Sequence, residues 1–247
     1  MTVTYTVEGA IGRLTISRPE RRNALNHAAL DELHESVRRA AGDDLRVLVL
    51  QGDQGHFCAG ADLTELEDLA FTRALRSALD DLAGLPHPTI ASISGACMGL
   101  GMQLALSCDL RLATEDARFA VPVARLGLMV DHWTVQRLAL LAGHSTARWM
   151  LLTAEPVTAE RAHATGLVHR LMGSPDEADF LAEHVASLAP LALAGSKLGL
   201  DLLERPTDDV DGEGRYQQAF ERAWSSEDLI EGRQAFGQRR PPEFTGR

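Results

Sequence analysis

The sequence predicts an α/β protein in which strand-turn-helix units stack into a spiral and an all-helical region closes the chain. Two observations carry that expectation. The buried-type strands LRVLVL and TIASIS begin at residues 45 and 89, and each runs into a turn of small residues. Beyond Pro190 no strand pattern remains, and the reading is helical to the end.

The elements follow in order. Apolar residues alternate through Val3, Tyr5 and Val7 and again through Ile11, Leu14 and Ile16, with Gly9 and Gly12 between, which predicts a β-hairpin stopped by Arg18-Pro19. After the basic loop RPERR, Asn26 is placed to cap a helix whose apolar positions Leu30, Leu33 and Val37 recur at spacings of three and four. A strand over residues 45–50 leads to the turn HFCAGAD. A second strand after Pro88 leads to SGACMG and the apolar helix GLGMQLALS. A further strand is expected over 110–113, and a helix over about 135–152 after the segment GLMVDHW. Helices are expected near 191–203 and 214–224 and in EDLIEGRQAFGQRR. Residues 1–190 therefore read as the core and 191–247 as a helical appendage that packs on this core or on a neighbouring subunit.

With 247 residues, 45% hydrophobic and 24% charged, the chain is long enough to bury a sizeable core. Its net charge of −11 opposes nonspecific binding to nucleic acid, so an anionic ligand would need a local basic patch. Cys58, Cys97 and Cys108 lack the spacing of a zinc site or a disulfide framework and read as core residues in a reducing compartment. No basic-then-apolar leader and no run of about 18 apolar residues is present, so a cytoplasmic protein without a transmembrane segment is expected.

The chemistry is expected in the two turns at strand carboxyl ends, HFCAGAD (56–62) and SGACMGLGMQL (94–104). Such turns leave backbone N–H groups unpaired and favour negative charge where a helix begins. Side by side, they could each give one N–H to a single oxygen, which is the arrangement of an oxyanion hole. Packing alone also explains small residues between strand and helix. A dinucleotide site fits poorly, since Leu104 stands where the third glycine of GxGxxG belongs.

FCAGADLTEL followed by HPTIASISGACMGLGMQLALSCDLRLATEDARF resembles the paired signature of the crotonase (enoyl-CoA hydratase/isomerase) superfamily; RPERRNALN and TAERAHATGLVHR agree with it. The resemblance runs in register from about residue 14 to 170 and more loosely to the end. It implies a spiral of ββα units, a helical C-terminal trimerisation region, and a homotrimer or a homohexamer of two trimers. It implies coenzyme A thioesters as ligand or substrate, with no separate cofactor and no metal. The oxyanion donors would be the N–H groups of Ala61 and Leu100, Leu100 replacing the usual glycine. Ala24, Ala59, Gly60, Asp62, Leu63 and Gly99 would line the ligand's path. Arg18, Arg21 and Arg22 are candidates for the phosphates of coenzyme A, and Arg239 and Arg240 weaker ones across a subunit boundary.

Three departures stand against that pattern. The two glutamates by which hydratases activate water map to Gln103 and Val123, neither of which transfers a proton. Each such carboxylate supplies about 10²–10⁴-fold as an acid or base. Asp131, His132 and Trp133 replace small residues of a glycine-rich loop; Trp133 offers an apolar face for an acyl chain. Dienoyl-CoA isomerases are similar at Asp131, where an aspartate shuttles protons. The chain is most similar in these respects to hydratase-like acyl-CoA-binding members of mycobacteria that lack both glutamates. The expected function is acyl-CoA binding in fatty-acid metabolism without efficient hydration. The alternatives are an isomerase or atypical hydratase using Asp131, and a partner-binding protein regulated by acyl-CoA.

Overall fold

The computed structural model describes residues 1–62, 69–204 and 212–247. β1 (Val3–Glu8) and β2 (Ile11–Ile16) form the expected antiparallel hairpin, turning at Gly9 with φ 60°. Asn26 caps α1 (His27–Gly42) by accepting the Ala29 amide at 3.0 Å, and Leu30, Leu33 and Val37 face the core. The unit strand-turn-helix then repeats. β3 (Val47–Gly52) is followed by α2 (Leu69–Ala83), and β4 (Thr89–Ile93) by β5 (Ala96–Met98) and α3 (Leu100–Ser107). β6 (Leu110–Thr114) is followed by β7 (Arg118–Ala120) and α4 (His132–Thr153).

The strands sort into two sheets. The larger has the order β1-β2-β3-β4-β6-β9, parallel from β2 onward, with β9 at Arg170–Met172. β4 is buried at every position, as a parallel strand covered on both faces must be. The smaller sheet joins β5, β7 and β8 (Val157–Thr158), and Cys58 extends it as an isolated parallel bridge to Cys97. Each unit thus contributes one strand to the large sheet and one short segment to the small one, which is the spiral the sequence predicts. Short α5 (Ala159–Ala164) follows β8, and α6 (Glu177–Ala186) packs on β2 and β3. α7 (Pro190–Glu204), α8 (Gly212–Trp224) and α9 (Glu227–Gln238) make up the C-terminal helical region. Among the described residues no single helix is long and apolar enough to cross a membrane.

The three cysteines are buried and unpaired, and burial pushes the Cys58 and Cys108 thiols up to about 12. They pack as small apolar residues. α4 starts three residues earlier than its periodicity suggests. The cause is Asp131, whose carboxylate caps the helix by accepting the Thr134 amide at 3.0 Å. α4 is also broken at Gly143, which has φ 75° and ψ 150°.

His87 lies in the segment before β4, buried, with its Nε2 unpartnered among the described residues. Burial first, and then the nearby Lys197 ammonium, lower its pKa from 6.5 to about 4. The unfolded chain therefore binds a proton at His87 that the folded chain refuses, and stability falls as pH drops through 6.5 toward 4. Between pH 8 and pH 5 this histidine should remove about 2 kcal/mol. Urea denaturation at both pH values, on the wild type and His87→Leu, should show the difference shrinking by that amount in the variant.

Candidate functional site

The two small-residue turns meet. Cys58 N–H donates to Ala96 O at 2.9 Å and Met98 N–H to Cys58 O at 2.9 Å, so the segment after β3 lies along β5. On its other side the same segment is bonded to the loop before α1. Ala59 N–H donates to Arg22 O at 3.0 Å, Leu25 N–H to Gly60 O at 2.9 Å and Asp62 N–H to Leu25 O at 2.8 Å. In that parallel bridge the residue between the two bonded positions, Ala61, turns its own N–H away from the partner strand. Leu100 is the first residue of α3, where an N–H has no partner within the helix. Neither N–H has an acceptor among the described residues.

Close backbone approach holds these donors together. Gly60 has φ 118° and Gly99 φ 52°, conformations a side chain disfavours. A Cβ at Gly60 would lie 3.2 Å from Met98 O and 3.9 Å from the Leu100 nitrogen. A Cβ at Gly101 would lie 2.1 Å from Cys58 O.

Ala61 and Leu100 open onto a cavity of about 490 Å³. Ala59, Gly60 and Gly99 form its floor beside them. Phe71, Leu75 and Leu79 of α2, together with Leu126, Leu128 and Met129, give it apolar walls. Val123 sits in the 3-10 turn Pro122–Leu126 and lines the same space, as does Gln103, one helical turn beyond Leu100.

The polar groups of this wall form one chain. Gln103 Nε2 donates to Thr134 Oγ1 at 2.8 Å, and the Thr134 hydroxyl donates to Asp131 Oδ1. Asp131 Oδ2 accepts from Arg76 Nη1 at 3.3 Å. Arg76 also pairs with Asp80 at 2.7 Å and lies 4.1 Å over the Trp133 ring. Burial raises the Asp131 pKa, but the Thr134 hydroxyl and amide and the Arg76 guanidinium outweigh it and hold the carboxyl below its ordinary value. A carboxylate so stabilised is a weak base.

The chain matches the family model for enoyl-CoA hydratase/isomerase over residues 6–247. It belongs to the enoyl-CoA hydratase/isomerase family. It is 39% identical over 246 residues to the probable enoyl-CoA hydratase echA6 of Mycobacterium tuberculosis, covering 96% of each chain. It is 36% identical over 245 residues to the 2,3-dehydroadipyl-CoA hydratase of Escherichia coli, covering 95% of this chain and 94% of that one. Among solved structures, an enoyl-CoA hydratase/carnithine racemase of Magnetospirillum magneticum superposes with TM-score 0.92 at 30% identity, covering 100% of this chain and 96% of that one. A place in fatty-acid metabolism follows from that membership.

Among the family-implied site residues, Ala59, Gly60, Ala61, Gly99, Leu100, Gln103, Val123 and Asp131 converge on the cavity. Ala24 is buried and is not among the residues that line the cavity, and Leu63 lies outside the described residues. Trp133 does not line the cavity; Arg76 covers its ring. His132 is exposed at the start of α4. Asp62 is buried and accepts from Arg18 at 3.2 Å, while Arg18 also donates to Ala24 O at 2.8 Å. Arg18 is thus an internal brace of the loop, not a free cation. Arg22 is exposed, and Arg21 is half-exposed 3.9 Å from Asp62. Arg240 is held by Glu231 at 2.8 Å, and Arg239 is exposed beside it with φ 52°. Arg76 and Thr134 do not stand out in the sequence; the available signal is Asp131, a residue type that caps helices, just ahead of the helical pattern of α4.

Proposed function

We propose that this family member binds acyl thioesters of coenzyme A, with the thioester oxygen accepting from the N–H groups of Ala61 and Leu100, and that it hydrates enoyl thioesters poorly. The observation that carries the reading is a pair of N–H groups, without acceptors among the described residues, on adjoining turns that line one apolar cavity. The apolar walls suit an acyl chain. Gln103 and Val123, at the positions where the family resemblance expects glutamates, cannot hold or release a proton. Polarising a carbonyl without moving a proton completes no reaction.

Among the described residues lining the cavity Asp131 is the one carboxylate, which favours the isomerase reading. Against it stand the occupation of both its oxygens and its lowered pKa. Calorimetric titration with an acyl-CoA, paired with a crotonyl-CoA hydration assay, tests the proposal. Binding with turnover far below the ordinary 1–10³ per second supports it, and turnover inside that range overturns it. Isomerisation of an enoyl-CoA that Asp131→Asn abolishes would establish the aspartate as the base instead.

The same proposal assigns assembly to 191–247. Leu200, Leu203, Phe220, Trp224 and Ile230 expose apolar surface on α7, α8 and α9, which is what a trimer contact needs.

A further inference from the structure

We infer that Thr134 is a positioning residue of this site: it fixes the Gln103 amide so that the side chain presents its carbonyl oxygen, an acceptor, to the acyl group. The inference rests on the acyl-CoA reading above and names a ligand feature that reading leaves open. A glutamine can turn either a donor or an acceptor toward a ligand, because its two ends are nearly the same shape. Here the choice is made by counting protons. Asp131 is ionised, so both its oxygens can only accept. The Thr134 hydroxyl, in contact with Asp131 Oδ1, must therefore give its one proton there. What remains on Thr134 Oγ1 is lone pairs, so the bond to Gln103 at 2.8 Å must come from the Gln103 NH2 group. Gln103 Oε1 has no donor among the described residues, and the residue lines the cavity.

Thr134 is fully buried and Gln103 nearly so, at 8% exposure, which gives the amide little room to reorient. The Arg76 guanidinium on Asp131 Oδ2 keeps the far end of the chain charged, so the same polarity holds throughout the neutral pH range. Leu100 and Gln103 lie three residues apart on one face of α3, about 5–6 Å between side-chain origins. A thioester oxygen held at Leu100 N–H therefore brings the next few acyl carbons past Gln103. The site favours an acyl thioester that carries a hydrogen-bond donor there over one that carries a carbonyl, whose oxygen would face another oxygen.

The full chain is titrated by calorimetry with three coenzyme A thioesters of equal length: 3-hydroxyacyl, 3-oxoacyl and saturated. The hydroxy compound should bind about five- to tenfold more tightly than the oxo compound, the range of one neutral hydrogen bond made against one lost. Thr134→Ser, which keeps the hydroxyl, should retain that ratio. Thr134→Val frees the amide to turn either end toward the ligand, and the ratio should fall to about one. Gln103→Leu removes the amide and should give the same result should the valine variant fail to fold. A ratio near one in the wild type, or a ratio kept in either of the last two variants, overturns the inference and leaves acyl-CoA binding standing. Failure of all three thioesters to bind overturns both.

Discussion

Gly101→Ala should cost 3 kcal/mol or more of stability and weaken acyl-CoA binding by at least tenfold. The new Cβ would sit 2.1 Å from Cys58 O and 2.9 Å from Cys58 C, and both are backbone atoms that no rotamer change can move aside. Overpacking of a well-filled interior usually costs about 1–3 kcal/mol, and a backbone clash of this size lies at or beyond the top of that range. α3 must retreat from the turn after β3, and the bond from Met98 N–H to Cys58 O is the first to lengthen. That retreat separates the N–H of Leu100 from that of Ala61, so the loss of affinity accompanies the loss of stability. Gly195 in α7 is the control. Among the described residues its Cβ would meet only Ala219 Cβ at 3.7 Å, an ordinary contact, so Gly195→Ala should stabilise by about 0.5–1 kcal/mol through helix propensity. Urea denaturation and titration with one acyl-CoA measure all three proteins. Equal behaviour of the two alanine variants would show that the turns are not held by this approach.

Much of the fold was legible because its signals are local. Alternation marked β1 and β2, a single Asn marked the start of α1, and continuous apolar runs marked β3 and β4. The floor of the cavity was legible for the same reason, since Ala59 to Ala61 and Gly99 to Leu100 are contiguous turns. What escaped depends on residues far apart in the chain. Arg76 reaches Asp131 across 55 positions and Gln103 reaches Thr134 across 31. Trp133 looked like a wall for an acyl chain because nothing local announces that Arg76 covers it. Arg18 looked like a phosphate ligand until Asp62, 44 positions on, was seen to hold it. Asp131 is a mixed case: its cap to Thr134 spans three residues and is local, whereas its bond to Arg76 is not.

Asp109→Ala should lower stability by about 3–5 kcal/mol, because it strands a buried ammonium. Lys197 on α7 is 8% exposed; its Nζ lies 2.8 Å from Asp109 Oδ2 and 3.2 Å from His87 O. The same carboxylate oxygen accepts from Thr89 N–H at 2.7 Å and from the Thr89 hydroxyl at 2.9 Å. One side chain thus joins the start of β4, the turn before β6 and the C-terminal helical region. Lys197→Met should cost less, about 1–2 kcal/mol, since methionine fills similar space and Asp109 keeps Thr89 as well as partial exposure to water. The double variant should then be more stable than the sum of the single losses by roughly 2 kcal/mol, because no charge is left unpaired in it. Chemical denaturation of the four proteins gives the cycle, and amide hydrogen exchange in α7 shows where the loss falls. Faster exchange confined to α7 means that the ion pair anchors the helical region to the spiral. Uniform acceleration across β4 and β6 as well means that the two fold as one cooperative unit.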